Sequence, residues 1–166
     1  MKRFFNRYGT ALIAAGLLVL VVRTFLFAPY IVHGESMLPS LDSEERILVN
    51  KWVYRMHSPD YEDIIVFRAT EGRDFVKRVI GLPGDVVTIE DGQVIRNGKK
   101  LKEPYLTGKI AGDFPPTRVS AHHLFVLGDN RNNSMDSRQL GLVDLTEVVG
   151  RADLILMPLD KIDWLS

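Results

Sequence analysis

The sequence predicts a mainly-β, barrel-like domain behind a single N-terminal transmembrane helix, with one irregular insertion. Three observations predict it. Residues 8–22 carry no charge, and beyond Pro29 the chain breaks into short β-branched and aromatic runs. Asp91-Gly92 and Asn97-Gly98 are two-residue hairpin signals. At 166 residues the chain has room for one domain with its own core, and not for two large ones.

The first element is an anchor, expected over residues 8–28, because the apolar run resumes after Arg23 as far as Ala28. About 20 helical residues at about 1.5 Å each cover the roughly 30 Å hydrocarbon core of a bilayer. Arg23, near the far end, can snorkel to the headgroups. Lys2, Arg3 and Arg7 assign residues 1–7 to the cytoplasm and residues 29–166 to the extracytoplasmic side of the cell membrane. A cleaved leader has the same basic start and apolar middle. Here Phe27-Ala28 is followed by proline, which lacks an amide hydrogen and makes a poor cut site. A retained, single-pass anchor in contact with membrane lipid is the expectation.

Residues 29–166 are expected to form one extracytoplasmic domain, which would carry any catalytic site. Strands are expected at 30–33, 46–54, 63–68, 74–80, 86–90, 93–96, 123–127 and 148–157. The span 99–121 carries Pro104, Gly108, Gly112, Pro115 and Pro116 with little pattern, and reads as the irregular insertion.

Composition narrows the function classes. Lys plus Arg and Asp plus Glu both number 21, so no basic excess points to nucleic acid. The absence of cysteine excludes disulfides, thiolate catalysis and cysteine zinc sites. His33, His57, His122 and His123 fall in no metal-binding spacing, so neither a metal nor an organic cofactor is expected.

Three segments carry candidate chemistry. In Gly34-Glu35-Ser36-Met37-Leu38-Pro39 the serine alone reads as a turn residue. Its placement says more, because the eight steps from Ala28 keep Ser36 within roughly 30 Å of the bilayer. A serine hydroxyl needs an adjacent base. His57 lies in a polar loop, and His122-His123 lacks an acidic orienter. Lys77 is the better base, because in Phe75-Val76-Lys77-Arg78-Val79-Ile80 alternation puts it on the face of Phe75 and Val79. Lowering a lysine from ~10.4 to ~8 takes about 3 kcal/mol, which burial can supply. Taken alone, Lys77 and Arg78 read better as a solvated basic pair in an edge strand than as a site. The polar run from Gly128 to Arg138, directly after an apolar strand, could orient a buried lysine.

In order along the chain, Ser36-Met37-Leu38-Pro39, Asp63-Ile64-Ile65-Val66-Phe67, Lys77 to Asp85 and Gly128 to Arg138 resemble the type I signal peptidases, in their compact, single-anchor bacterial form. The resemblance implies a serine/lysine peptidase. Ser36 would attack the scissile carbonyl, and neutral Lys77 would take its proton and deliver it to the leaving amine. Ser134 would hydrogen-bond Lys77, Asp129 would pair with Arg78, and Asp136 with Arg138. The Ser36 backbone amide would be one oxyanion donor. The second is unassigned, because Gly34 stands where relatives often carry a serine. Asn132, where an aspartate is common, reads as a turn substitution.

The partners implied are secretory preproteins with signal peptides, cut through an acyl-enzyme after small side chains of the A-x-A kind. Ile31, Met37, Ile65 and Phe67 are the candidate lining, with ordinary core packing at least as good a reading for Ile65 and Phe67. A self-cleaving serine/lysine repressor shares the dyad but not the anchor. A membrane-tethered binding or chaperone module on the same fold would not need a buried lysine.

Overall fold

A computed structural model describes residues 2–21, 25–69, 72–106 and 108–165. The elements are α1 (Lys2–Val21), β1 (Phe27–Ile31), β2 (Arg46–Asn50), α2 (Val53–Met56), β3 (Ile64–Arg68), β4 (Asp74–Gly81), β5 (Val86–Glu90) and β6 (Gln93–Arg96). There follow β7 (Lys99–Lys100), β8 (Phe114–Arg118), β9 (His123–Leu127), α3 (Ser137–Leu140), β10 (Val143–Asp144), β11 (Val148–Met157) and β12 (Asp163–Trp164). The domain after α1 is strand-rich, as expected.

Every strand pairing among the described residues is antiparallel. The larger sheet runs β1-β2-β11-β3-β4-β9-β10, with β12 added to β11, and the smaller runs β7-β6-β5-β8. Alternation along the strands sends apolar side chains into three cores. Met37, Leu41, Ile47 and Val49 belong to the first, and Ile80, Val87, Ile89 and Phe125 to the second. Ile65, Phe67, Val79 and Val126 belong to the third.

Four expectations shift. The segment expected as an anchor to residue 28 gives up Phe27 and Ala28 to β1, while residues 22–24, including Arg23, lie outside the described residues. Among the described residues no helix is long and apolar enough to cross a membrane. The first turns of α1 carry Lys2, Arg3 and Arg7.

The run expected at 46–54 stops at Asn50, whose Oδ1 accepts from the amides of Trp52 and Val53 and so starts α2. That is the usual competition of an asparagine side chain with the ladder. The insertion is less irregular than its composition implies, because β8 pairs with β5 through Phe114, Thr117 and Arg118. Pro115 and Pro116 are tolerated there because β8 is an edge strand, with the register shift between its pairs to Val87 and Ile89. Finally, β1 begins three residues earlier than expected, with Pro29 again on an edge strand.

Candidate active site

The turn after β1 presents Ser36. Gly34 adopts φ +85°, a left-handed conformation that side chains resist. Met37 and Leu41, both fully buried, pin the far side of the turn, and the Leu41 amide donates to the Met37 carbonyl at 2.9 Å. The turn is also held from below. Asn130 donates its amide to the Ser36 carbonyl at 3.0 Å and its side-chain nitrogen to the Glu35 carbonyl at 3.1 Å.

Lys77 reaches the same point from β4. Its Nζ lies 2.7 Å from Ser36 Oγ and 2.8 Å from the Val76 carbonyl. Register pairs Lys77 with Ile65, so its stem shares a face with Ile65, Phe75 and Val79. The Phe75 ring centroid is 5.4 Å from Nζ. Only 2% of Lys77 is exposed. Burial lowers its pKa to about 8, against the opposing pull of the Asp136 and Asp129 carboxylates. At that value a useful fraction of the amine is neutral near physiological pH.

The polar run supplies the supports. Arg78 makes a two-pronged bond to Asp129, Nε to Oδ1 at 2.9 Å and Nη2 to Oδ2 at 2.7 Å, with both side chains buried. Asp136 caps α3, accepts two bonds from Arg138 at 2.8 Å, and takes the Gly128 amide at 3.1 Å. Arg138 also donates to the Arg131 carbonyl at 2.6 Å.

Ser134 departs from its expected role. Its hydroxyl is buried without a hydrogen-bond partner among the described residues, and Lys77 bonds Ser36 and the Val76 carbonyl. Ser134 still lies beside the dyad, because Gly128 leaves a space bounded by the Ser134 side chain and the Ser36 carbonyl.

A groove of about 990 Å³ opens on Ser36 and Lys77. Of the expected lining, Ile31 and Met37 face it, but Ile65 and Phe67 do not. Both are sealed in the third core, and Val66 between them lines the groove, as strand alternation requires. Two strand edges flank the opening. β1 ends the larger sheet, and β4 is paired to β9 only from Arg78 onward, which leaves the outer edge of residues 74–77 unpaired by β9. Beside Gly34 the nearby hydroxyl is that of Ser43, which accepts the Gly34 amide at 3.3 Å.

Sequence reasoning missed Asn130, Arg131, Glu103 and Ser137. Ser137 Oγ accepts the Val126 amide at 2.9 Å inside the core. Three of the four sit in the polar run already singled out, where nothing in the spacing separates a loop residue that reaches the nucleophile from one that faces water. Asn132 is more than a turn substitution. It accepts the Ala111 amide at 2.7 Å and donates to the Lys109 carbonyl at 3.1 Å. An aspartate could make only the first of these bonds.

A strand-rich domain that rests a serine hydroxyl on a buried lysine amine is built as a serine hydrolase of the serine/lysine kind. Residues 5–157 match the family described as signal peptidase, peptidase S26. A signal peptidase I P of Bacillus subtilis subsp. natto is 44% identical over 166 residues, covering 92% of this chain and 89% of that protein. A signal peptidase I of Bacillus licheniformis is 42% identical over 164 residues, covering 92% and 88%. The crystal structure of a signal peptidase I from Enterococcus faecalis V583 superposes with a TM-score of 0.53 at 34% identity, over 58% of this chain and 97% of that one. The chain belongs to the signal peptidase family, peptidase S26, and is a serine endopeptidase.

Proposed function

We propose that this chain, held at the membrane by its N-terminal segment, removes signal peptides from exported preproteins with Ser36 as nucleophile and Lys77 as general base. The observation that carries the reading is the 2.7 Å approach of a desolvated lysine amine to a serine hydroxyl at the floor of an open groove.

Neutral Lys77 takes the Ser36 proton as Oγ attacks the scissile carbonyl, and the Ser36 amide faces the developing oxyanion. The resulting ammonium gives its proton to the leaving amine, which departs as the new N-terminus of the mature protein. The signal peptide stays as an ester on Ser36. Neutral Lys77 then takes a proton from water, the hydroxide attacks the ester, and Ser36 recovers its hydrogen from the ammonium. Arg78, Asp129, Asp136 and Arg138 touch no substrate in this scheme. They hold the loop that frames the dyad.

An extended substrate fits between the edges of β1 and residues 74–77 that pair with no further strand among the described residues, where backbone pairing would set its register. Alternate side chains of that peptide point the same way into a groove lined by Ile31, Met37 and Val66, which favours small residues at the first and third positions before the cut. Membrane attachment is supported by α1, where Leu12, Ile13, Leu17, Leu18, Val19 and Leu20 are all more than half exposed. A stripe of that kind needs an apolar surround.

The test is cleavage of a preprotein in detergent or lipid by wild type, Ser36→Ala and Lys77→Met. Both variants should lose about 10³-fold or more in kcat, as removal of either member of a nucleophile–base pair does. Full activity in either one would sink the dyad.

A further inference from the structure

We propose that Glu103, carried by the segment between β7 and β8, is a positioning residue that holds the catalytic loop under Ser36. Its carboxylate takes Arg131 in a two-pronged bond, Nη2 to Oε1 at 2.6 Å and Nη1 to Oε2 at 3.0 Å, and Oε1 also accepts the Tyr105 hydroxyl at 3.0 Å. The Glu103 and Arg131 side chains are 7% and 3% exposed. A pair this dry is not a surface ornament.

What distinguishes the pair from an ordinary fold support is where the arginine leads. Arg131 donates Nε to the Gly128 carbonyl at 3.0 Å, and its own carbonyl receives Arg138. Asn130 lies between Asp129 and Arg131, and its two bonds hold the carbonyls of Glu35 and Ser36. The same segment grips the other end of this stretch, because the Tyr105 ring lies 4.0 Å from the Arg78 guanidinium, which in turn holds Asp129. Asn132 adds a third strap through Ala111 and Lys109.

The insertion therefore clamps Asp129 and Arg131 on either side of Asn130, which bonds the carbonyls of Glu35 and Ser36. Its work on the reaction is indirect, through the Ser36 Oγ to Lys77 Nζ distance. A displacement of about 1 Å at a reacting pair can cost on the order of 10²-fold in rate. With Glu103 removed, the buried Arg131 charge seeks water and draws the loop with it.

This inference rests on the dyad reading, so the experiment separates the two. Glu103→Ala and Glu103→Gln are compared with wild type and Ser36→Ala in the full-length, detergent-solubilised protein, with kcat and KM measured on a preprotein and melting temperature on each variant. Glu103→Ala should lower kcat by about tenfold or more while KM stays within about threefold. Glu103→Gln, which keeps the shape and one acceptor oxygen, should fall between it and wild type. Wild-type kcat in folded Glu103→Ala overturns the proposal, as does a loss that merely tracks the unfolded fraction. If Glu103→Ala does not fold, Glu103→Gln decides by the same criteria, a lowered kcat at unchanged KM supporting the role and wild-type kcat overturning it. Cleavage by Ser36→Ala would instead sink the dyad itself, whereas its silence alongside fully active Glu103 variants sinks the positioning role alone.

Discussion

The Lys77 amine meets the Ser36 hydroxyl at 2.7 Å in a place where the lysine is 2% exposed, so the group that would act as base is also a buried amine that is costly to charge. Activity and stability should both register that tension as pH changes.

For activity, only neutral Lys77 can take a proton. Burial lowers its pKa to about 8, so kcat/KM should climb about tenfold per pH unit below that value and level off above it. A profile flat from acid to alkaline pH would remove Lys77 from the role of base.

For stability, the folded pKa lies below the unfolded value, so the unfolded chain binds more protons between about 8 and 10.5. Stability should therefore rise with pH through that window, and the full penalty, about 3 kcal/mol, is present below it. Lys77→Met should abolish cleavage yet stabilise the protein at neutral pH, by about 1–2 kcal/mol once lost hydrogen bonds are set against the gain. Denaturant melts of the variant and wild type at pH 7 and pH 10 check both the sign and the narrowing of the difference.

Asp129→Ala leaves the Arg78 guanidinium buried without its carboxylate. Breaking one side of such a pair costs about 3–5 kcal/mol. Thermal unfolding should show the loss directly, whereas a melting temperature matching wild type would mean that water replaces the carboxylate.

Gly128→Ala puts a methyl group onto the Ser134 side chain and the Ser36 carbonyl. The nucleophile's turn must move, and kcat should drop by about 10²-fold. Pairing it with Ser134→Gly, which clears one of the two obstructions, should recover part of that loss.

Ser134→Ala removes a buried hydroxyl that has no partner. Stability should rise by up to about 1 kcal/mol. A loss of several kcal/mol would mean that the hydroxyl makes a bond in solution.

The strands at 86–90, 93–96, 123–127 and 148–157 match the structure at both ends because alternation and hairpin residues are local signals. The boundaries at β1 and the insertion moved because each was decided by a partner distant in sequence, whereas β2 ends at a local competitor, the Asn50 side chain. β8, with two prolines, exists only because β5 offers it an edge. The same division runs through the site. The residue types and their order were legible, including an apolar face for Lys77 and the arginine and aspartate pairs implied by resemblance. Which loop atoms touch the nucleophile was not.

By itself the sequence determined the family, the strand-rich class and a short list of reactive side chains, since periodicity and ordered motifs are properties of the chain. The tertiary structure alone decided that 41 positions of separation close to 2.7 Å between Ser36 and Lys77. It also turned Ile65 and Phe67 into core, left Ser134 without its expected bond, and brought Glu103 of the insertion under the catalytic loop. Burial, register and the reach of a side chain across a sheet depend on everything that packs around them, and no local pattern encodes them.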